Sequence, residues 1–383
     1  MRILLLGEYS RLHNSLKKGL ESLGHEVCLV ATGDAFKNYP VDISFAAKLT
    51  RLNPFFRFFK KAVNKVFKIN LEETEAGIRF YRILPRLKNY DLVQLINSNA
   101  LETHPSWSRY LLKKLFKQNT KSILLVCGDE TPVVEYLLKR ELKYDVLTPY
   151  FEQPAMKQKF EYVIKYTKKP YRKLFEFVKA YCEKIIVSDI DYKIPMEKMG
   201  YEVIFIPNPI VIDDRLKANN GYIEKIVIFL GINRLSREKK GIPFFEKALE
   251  IIKEKYADNI EITIVENQPY AEYIKLYDRA HILLDQVYAY DQGYNALEAM
   301  AKGKVVFTGA EKEFLEHYNL QEDEVCINAL PDVEAIVRKL SWLIENPAEI
   351  LRIGKNAREF IEREHHYLKI AQKYLDAWKN SKI

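Results

Sequence analysis

The chain has 383 residues, 48% of them hydrophobic, and a net charge of +8 from Lys+Arg 60 against Asp+Glu 52. That length suits two domains of about 150–200 residues with ample core, which excludes a disordered or low-complexity chain. The basic balance suits an anionic partner, yet no zinc-finger, RRM or helix-turn-helix signature supports nucleic acid, and no apolar run nears the roughly 18 residues of a membrane span.

Taken in chain order, Arg2–Leu6 reads as a first strand. Met1–Gly7 is too short for a signal-peptide core, so a cytoplasmic protein is expected. Leu12, Leu16, Leu20 and Leu23 mark one apolar face of a first helix, and Leu23-Gly24-His25-Glu26-Val27 closes it and opens a strand over Glu26–Val30. His13 stands just beyond the first strand. In open parallel sheets ligands bind outside the carboxyl ends of the strands, so His13 either faces the cleft or lies exposed in the first helical turn. Residues 51–68 combine Phe55, Phe59, Ala62, Val63 and Val66 on one helical face with Arg57, Lys60, Lys61, Lys65 and Lys68 on the other. That pattern fits a helix lying on an anionic membrane surface, or a rim helix packing its Phe side chains inward.

Further strands are expected at Leu92–Ile96, Ser122–Val126, Lys184–Val187 and Val203–Ile206, with helices between most of them. Gly128-Asp129-Glu130 ends the second of these strands in acids. Asp129 is a candidate to orient an acceptor hydroxyl or take its proton; otherwise it caps the helix starting near Pro132. The second half repeats the scheme with strands near 226–230, 260–265, 281–284, 304–307 and 325–328, and the chain closes in charged helices from about Val333. Alternating strands and helices define an α/β protein with two doubly wound Rossmann-like domains facing a central cleft, joined near Pro207-Asn208-Pro209.

Chemistry concentrates in residues 226–309. Arg234, Arg237, Lys239 and Lys240 follow directly on a strand end, where cations neutralise a diphosphate leaving group, or else form a solvated basic loop. Gly293 then precedes Tyr294 and Asn295 at a helix start, where bare amides favour an anion. Asn295 and Glu298 also fit a capping pair, which competes with a ribose-binding role for Glu298. Cys28, Cys127, Cys182 and Cys326 lie far apart in apolar surroundings, as reduced thiols do. The histidines show no metal-ligand spacing and no G-x-G-x-x-G follows a strand, so neither a metal site nor a dinucleotide cofactor is expected.

The order of these pieces resembles the retaining, nucleotide-sugar-dependent glycosyltransferases of the GT-B fold, in their bacterial polysaccharide-type subset. Ile206-Pro207-Asn208-Pro209-Ile210 is similar to that family's I-P-N-G hinge, Arg234 with Lys240-Gly241 to its pyrophosphate clamp, and Gly293 through Gly303 to the second half of its E-x7-E region. The opening Gly7-Glu8-Tyr9-Ser10 is also similar to bacterial members. The resemblance implies Arg234 and Lys240 on the donor pyrophosphate, Glu298 on the ribose hydroxyls, and backbone amides of Gly293 and Tyr294 on phosphate or sugar. The family's first glutamate falls at Tyr290 here, and Asp291 is the candidate to take over hydroxyl recognition.

It also implies a nucleotide-diphosphate sugar as co-substrate without a further cofactor, and a glycan or lipid-linked acceptor bound by residues 1–207 plus a returning helix of about 365–383. The donor would be held by 208–364. Two alternatives stay open: a non-catalytic nucleotide-sugar-binding homologue or subunit, kept alive by Tyr290, and a same-fold nucleotide-sugar epimerase.

Overall fold

The computed structural model describes residues 1–34, 39–52, 70–212, 225–266 and 270–379. The basic aromatic segment at 51–68 lies outside the described residues from 53 onward. Strands β1 (Arg2–Leu6), β2 (Glu26–Ala31), β3 (Ile43–Ser44), β4 (Leu92–Leu95), β5 (Lys121–Val126), β6 (Lys184–Val187) and β7 (Ile204–Phe205) form a seven-stranded sheet in the order β3-β2-β1-β4-β5-β6-β7. Every pairing is parallel; Leu4 lies between Cys28 and Val93, for example. The central strands are runs of Ile, Leu and Val buried on both faces, which suits a parallel sheet covered by helices on either side.

A second parallel sheet follows. Strands β8 (Ile226–Ile232), β9 (Ile260–Glu266), β10 (Ile282–Leu284), β11 (Val305–Thr308) and β12 (Ile327–Asn328) take the order β12-β11-β10-β8-β9. Here too one strand carries most of the core: Ile226 through Leu230 are at most 7% exposed. Each sheet reverses its strand order between neighbouring strands, β1 and β4 in the first and β8 and β10 in the second. Such a reversal opens a crevice at the carboxyl ends.

The chain crosses between the sheets twice, and the two crossings hydrogen-bond to each other. Ile210 N–H donates to the His365 carbonyl at 2.7 Å, and Tyr367 N–H donates to the Ile210 carbonyl at 3.1 Å. His365 Nδ1–H donates to the Asn208 carbonyl at 2.9 Å, with burial pushing that imidazole down to about 4. Beyond them the helix Tyr367–Lys379 packs on the first helix, Leu12–Ser22, of the N-terminal sheet. Gly19 is what lets the two backbones approach, since a Cβ there would stand 2.6 Å from the Tyr367 carbonyl oxygen.

Cys28, Cys127, Cys182 and Cys326 are free thiols. Among the described residues no helix is long and apolar enough to cross a membrane, and no group of His, Cys, Asp and Glu side chains could hold a metal ion.

Candidate active site at the carboxyl ends of the C-terminal sheet

β8 feeds into the basic loop, and that loop ends at Gly241, whose φ of 68° begins the helix Ile242–Tyr256. A side chain at Gly241 would be strained by that φ, and its Cβ would meet Val287 Cβ at 2.8 Å. The turn turns Lys240 inward. Its Nζ donates to Asp285 Oδ1 at 2.8 Å, and Asn295 Nδ2 donates to the same oxygen at 2.9 Å. Asp285 follows β10 with its side chain only 1% exposed, and Oδ2 has no partner. A Cβ built on Gly293 would stand 3.6 Å from that Oδ2, so Lys240, Asp285, Gly293 and Asn295 share one spot at the strand ends.

The helix Tyr294–Ala301 has Gly293 as its N-cap with no side chain capping it. Asn295 is therefore inside the helix and bonded to Asp285, and the capping pair with Glu298 does not form. Glu298 instead meets the other domain: Arg11 Nη1 donates to its Oε1 at 3.2 Å. Arg11, with φ 72°, sits on the loop between β1 and the first helix, its guanidinium 5.4 Å from the Tyr39 ring centroid. The Tyr294 hydroxyl crosses the same boundary, donating to the Pro209 carbonyl at 2.7 Å and accepting from Ser15 Oγ.

Other site candidates spread around this spot. Lys239 reaches across to Asp129, Nζ to Oδ1 2.7 Å. Desolvation opposes the Lys239 charge, but the Asp129 carboxylate keeps the ammonium above its ordinary range. Asp129 is thus an interdomain ion-pair partner, and its neighbour Glu130 caps the helix Thr131–Leu137 by accepting from Thr131 N. Arg234 lies at the outer rim, 71% exposed and paired with Glu266 of β9. Arg237 is occupied by Glu238 and Glu246.

Two expected roles are corrected. His13 faces neither the cleft nor solvent. It is fully buried: Trp378 Nε1–H donates to Gln94 Oε1 (3.1 Å), Gln94 Nε2–H donates to His13 Nε2 (3.2 Å), and His13 Nδ1–H donates to the Gly7 carbonyl (2.7 Å). A carbonyl only accepts, which fixes Nδ1 as the protonated nitrogen, and burial pushes the imidazole down to about 4. His13 is a link between the first sheet and the returning helix. Asp291 also faces away from the donor spot. Its Oδ2 accepts from Ile190 N at 3.0 Å and its Oδ1 from Gln292 N at 2.7 Å, and burial raises it to about 6.

Sequence reasoning left three participants unassigned. Asp285 orients Lys240 and Asn295; its signal was an acid directly after the apolar run of β10. Arg11 pairs with Glu298 over 287 positions, beyond any local pattern. Glu8, after β1, is 2% exposed, accepts from Asn14 N (2.8 Å) and Asn14 Nδ2 (2.6 Å), and is raised to about 7 chiefly by burial.

Two parallel α/β domains joined by a double crossing, with a cation-bearing loop and a bare helix start at the carboxyl ends of the second sheet, define the GT-B class. The family profile described as glycosyl transferase-like matches residues 233–376, under half of the chain, and the chain has the GT-B fold. No curated protein sequence matches it. Among solved structures, sucrose-phosphate synthase from Thermosynechococcus elongatus superposes with a TM-score of 0.62 at 15% identity, covering 99% of this chain and 98% of that one. HepE of Anabaena in complex with UDP and glucose gives 0.59 at 12% identity, with 99% of each chain covered. The UDP-GlcNAc 2-epimerase from Neisseria meningitidis bound to UDP-GlcNAc gives 0.52 at 13% identity, with 99% and 100% covered. At these identities the likeness speaks for the fold.

Proposed function

We propose that the chain moves a glycosyl unit from a nucleoside-diphosphate sugar to a hydroxyl of a glycan or lipid-linked acceptor, with retained anomeric configuration and without a metal. In this reading residues 208–364 hold the donor, and residues 1–207 with the returning helix of 365–383 hold the acceptor. The observation that carries it is Lys240, locked by the buried Asp285 beside Gly293 at the strand ends. An ammonium has three donors and Lys240 gives one to Asp285, so the others are available to a phosphate. The amides opening the helix Tyr294–Ala301 add positive potential on the facing side. Together they stabilise the diphosphate as it gains charge. Arg234 joins by leaving Glu266, because an exposed surface pair is worth only about 0–1 kcal/mol. Glu298 is the ribose carboxylate, released from Arg11 when donor enters.

UDP is the first base to test, since HepE and the epimerase above are seen with UDP or a UDP-sugar. A cytoplasmic role in polysaccharide synthesis fits the free thiols, and peripheral membrane contact through 51–68 fits its basic aromatic composition. The test is thermal unfolding against UDP, GDP, ADP and CMP, with and without attached sugars. A ligand at 100 times its Kd adds about 2.7 kcal/mol. A shift with one diphosphate that shrinks in Arg234→Ala is the expected result; no shift with any of them overturns the reading. Conversion of a nucleotide-sugar without any acceptor would instead mark an epimerase.

A further inference from the structure

We propose that an exposed flank of the N-terminal domain, formed by the helices Leu71–Ile83 and Pro105–Lys117, binds the polyanionic chain of an acidic glycan outside the cleft. Only the identity of the anion as a glycan rests on the transferase reading. The stretches 76–90 and 103–120 hold four Lys or Arg each and no Asp or Glu. Spacings of three and four set Arg79, Arg82 and Arg86 on one stripe, and Arg109, Lys113 and Lys117 on another. None of these six pairs with a carboxylate among the described residues. Acids on neighbouring elements are engaged elsewhere. Glu75 accepts from the amides of Lys48, Leu49 and Thr50, Asp91 from that of Arg2, and Glu183 pairs with Lys121. Residues 53–69 contain no Asp or Glu, so they bring no carboxylate here.

Between the two stripes the helices meet through aromatic rings. A Cβ on Gly77 would stand 2.4 Å from the Trp107 ring, so the glycine is what seats the indole. Trp107 stacks on Tyr110 with centroids 5.1 Å apart and 12° between planes, and Tyr81 leans on Trp107 at 6.2 Å. Ile78, Tyr81 and Tyr110 are 44%, 46% and 44% exposed. The result is a ring-floored track with a row of cations along each side. Four helical residues advance about 6 Å, so charges repeating along an extended chain meet a cation at each turn. The C–H faces of sugar rings cover the aromatic floor, and the anions pair with the rows.

Lys114 decides between anionic partners. Its ammonium lies over the Tyr110 and Tyr81 rings, 4.8 and 5.6 Å from their centroids. Sinking those rings into a bilayer would carry the ammonium into the apolar layer, which is costly. A hydrated polyanion lying across the track leaves it in water and pairs with it.

The experiment is fluorescence anisotropy of an end-labelled oligogalacturonide against the full chain at low salt. A maltodextrin and an oligothymidylate of equal length, and phosphatidylglycerol vesicles, serve as competitors. The oligogalacturonide should bind, and added salt should weaken it. The triple variant Arg82→Glu/Lys113→Glu/Lys117→Glu, verified as folded by circular dichroism, should lose at least about tenfold in affinity. Tyr110→Ala should lose several-fold. No oligogalacturonide binding, equal binding of the maltodextrin, or an affinity unchanged in the triple variant overturns the proposal. So does tighter binding of oligothymidylate or vesicles that the triple variant abolishes. A UDP thermal shift on the same samples separates the two readings. UDP binding without oligogalacturonide binding removes the surface assignment alone, whereas oligogalacturonide binding without any nucleotide binding removes the donor reading and leaves the surface.

Discussion

Lys240→Ala removes more than a phosphate ligand. Asp285 is 1% exposed, and losing Lys240 leaves its anion with a single hydrogen bond, from Asn295 at 2.9 Å. Breaking a buried ion pair from one side costs about 3–5 kcal/mol. Lys240 itself is 31% exposed, so water softens the loss toward the lower end, about 3 kcal/mol.

The unfolding midpoint of Lys240→Ala should therefore fall by roughly 6–12 °C at pH 7, at about 2–4 °C per kcal/mol. Asp285→Asn keeps an acceptor for Asn295 and removes the charge, so the double variant Lys240→Ala/Asp285→Asn should recover most of the loss without regaining nucleotide binding. Calorimetry of the three variants at pH 7 is the assay. A Lys240→Ala deficit that is absent, or that Asp285→Asn does not change, refutes the buried-pair argument.

Three other substitutions probe the domain junction. Gly19→Ala places a methyl 2.6 Å from the Tyr367 carbonyl oxygen and 2.7 Å from Ala371 Cβ, so the returning helix should lose protection in hydrogen exchange; unchanged protection over Tyr367–Lys379 contradicts that packing. Asp191 accepts from Tyr290 N (3.0 Å) and Asp291 N (3.2 Å), and desolvation with the neighbouring Asp291 charge raises its carboxyl. Asp291, likewise desolvated, titrates at about 6. Both carboxyls bind more protons folded than unfolded, so their contribution is full at acid pH and lost as pH rises through the folded values. Asp191→Asn keeps an accepting oxygen, and its midpoint should decline less than wild type between pH 5 and pH 8; parallel curves would show that this site does not titrate. Tyr290→Glu, which restores the family's carboxylate in sequence, should lower the midpoint without improving donor binding. The Tyr290 hydroxyl accepts from Lys143 N at 3.0 Å, and its ring lies 5.8 Å from Tyr144, so a glutamate would bury charge in that clasp. Tighter UDP-sugar binding in Tyr290→Glu would contradict this.

The parts legible in sequence are those set by local physics. Ile226 through Leu230 could hardly be anything but a buried parallel strand, and the basic loop that ends at Lys240-Gly241 opens a helix as its sequence suggests, with Gly241 at a φ of 68°. Strand β3 was missed because it pairs only through Ile43 and Ser44, too short for any period to register. Asp291 was read toward the sugar from its place beside Tyr290. An amide of the other domain, Ile190 N, holds it instead, and nothing within a dozen residues signals that partner. The capping alternative for Asn295 and Glu298 was locally valid, but Asp285 competed for Asn295 and Arg11 for Glu298.

These long-range partners share one physical logic. A cluster of cations at strand ends repels itself, and the fold answers with carboxylates at each point: Asp285 for Lys240, Asp129 for Lys239, Glu266 for Arg234. The three differ in what a diphosphate must overcome. Glu266 is 38% exposed and yields readily to a phosphate. Asp129, at 19%, ties the basic loop to the other domain, so donor entry there also loosens an interdomain contact. Asp285 stays in place because releasing it would leave a buried charge alone. In the proposed donor reading, Arg234 and Lys239 are therefore the groups that would exchange partners when a donor arrives, and Lys240 the fixed one against which the phosphate would be positioned.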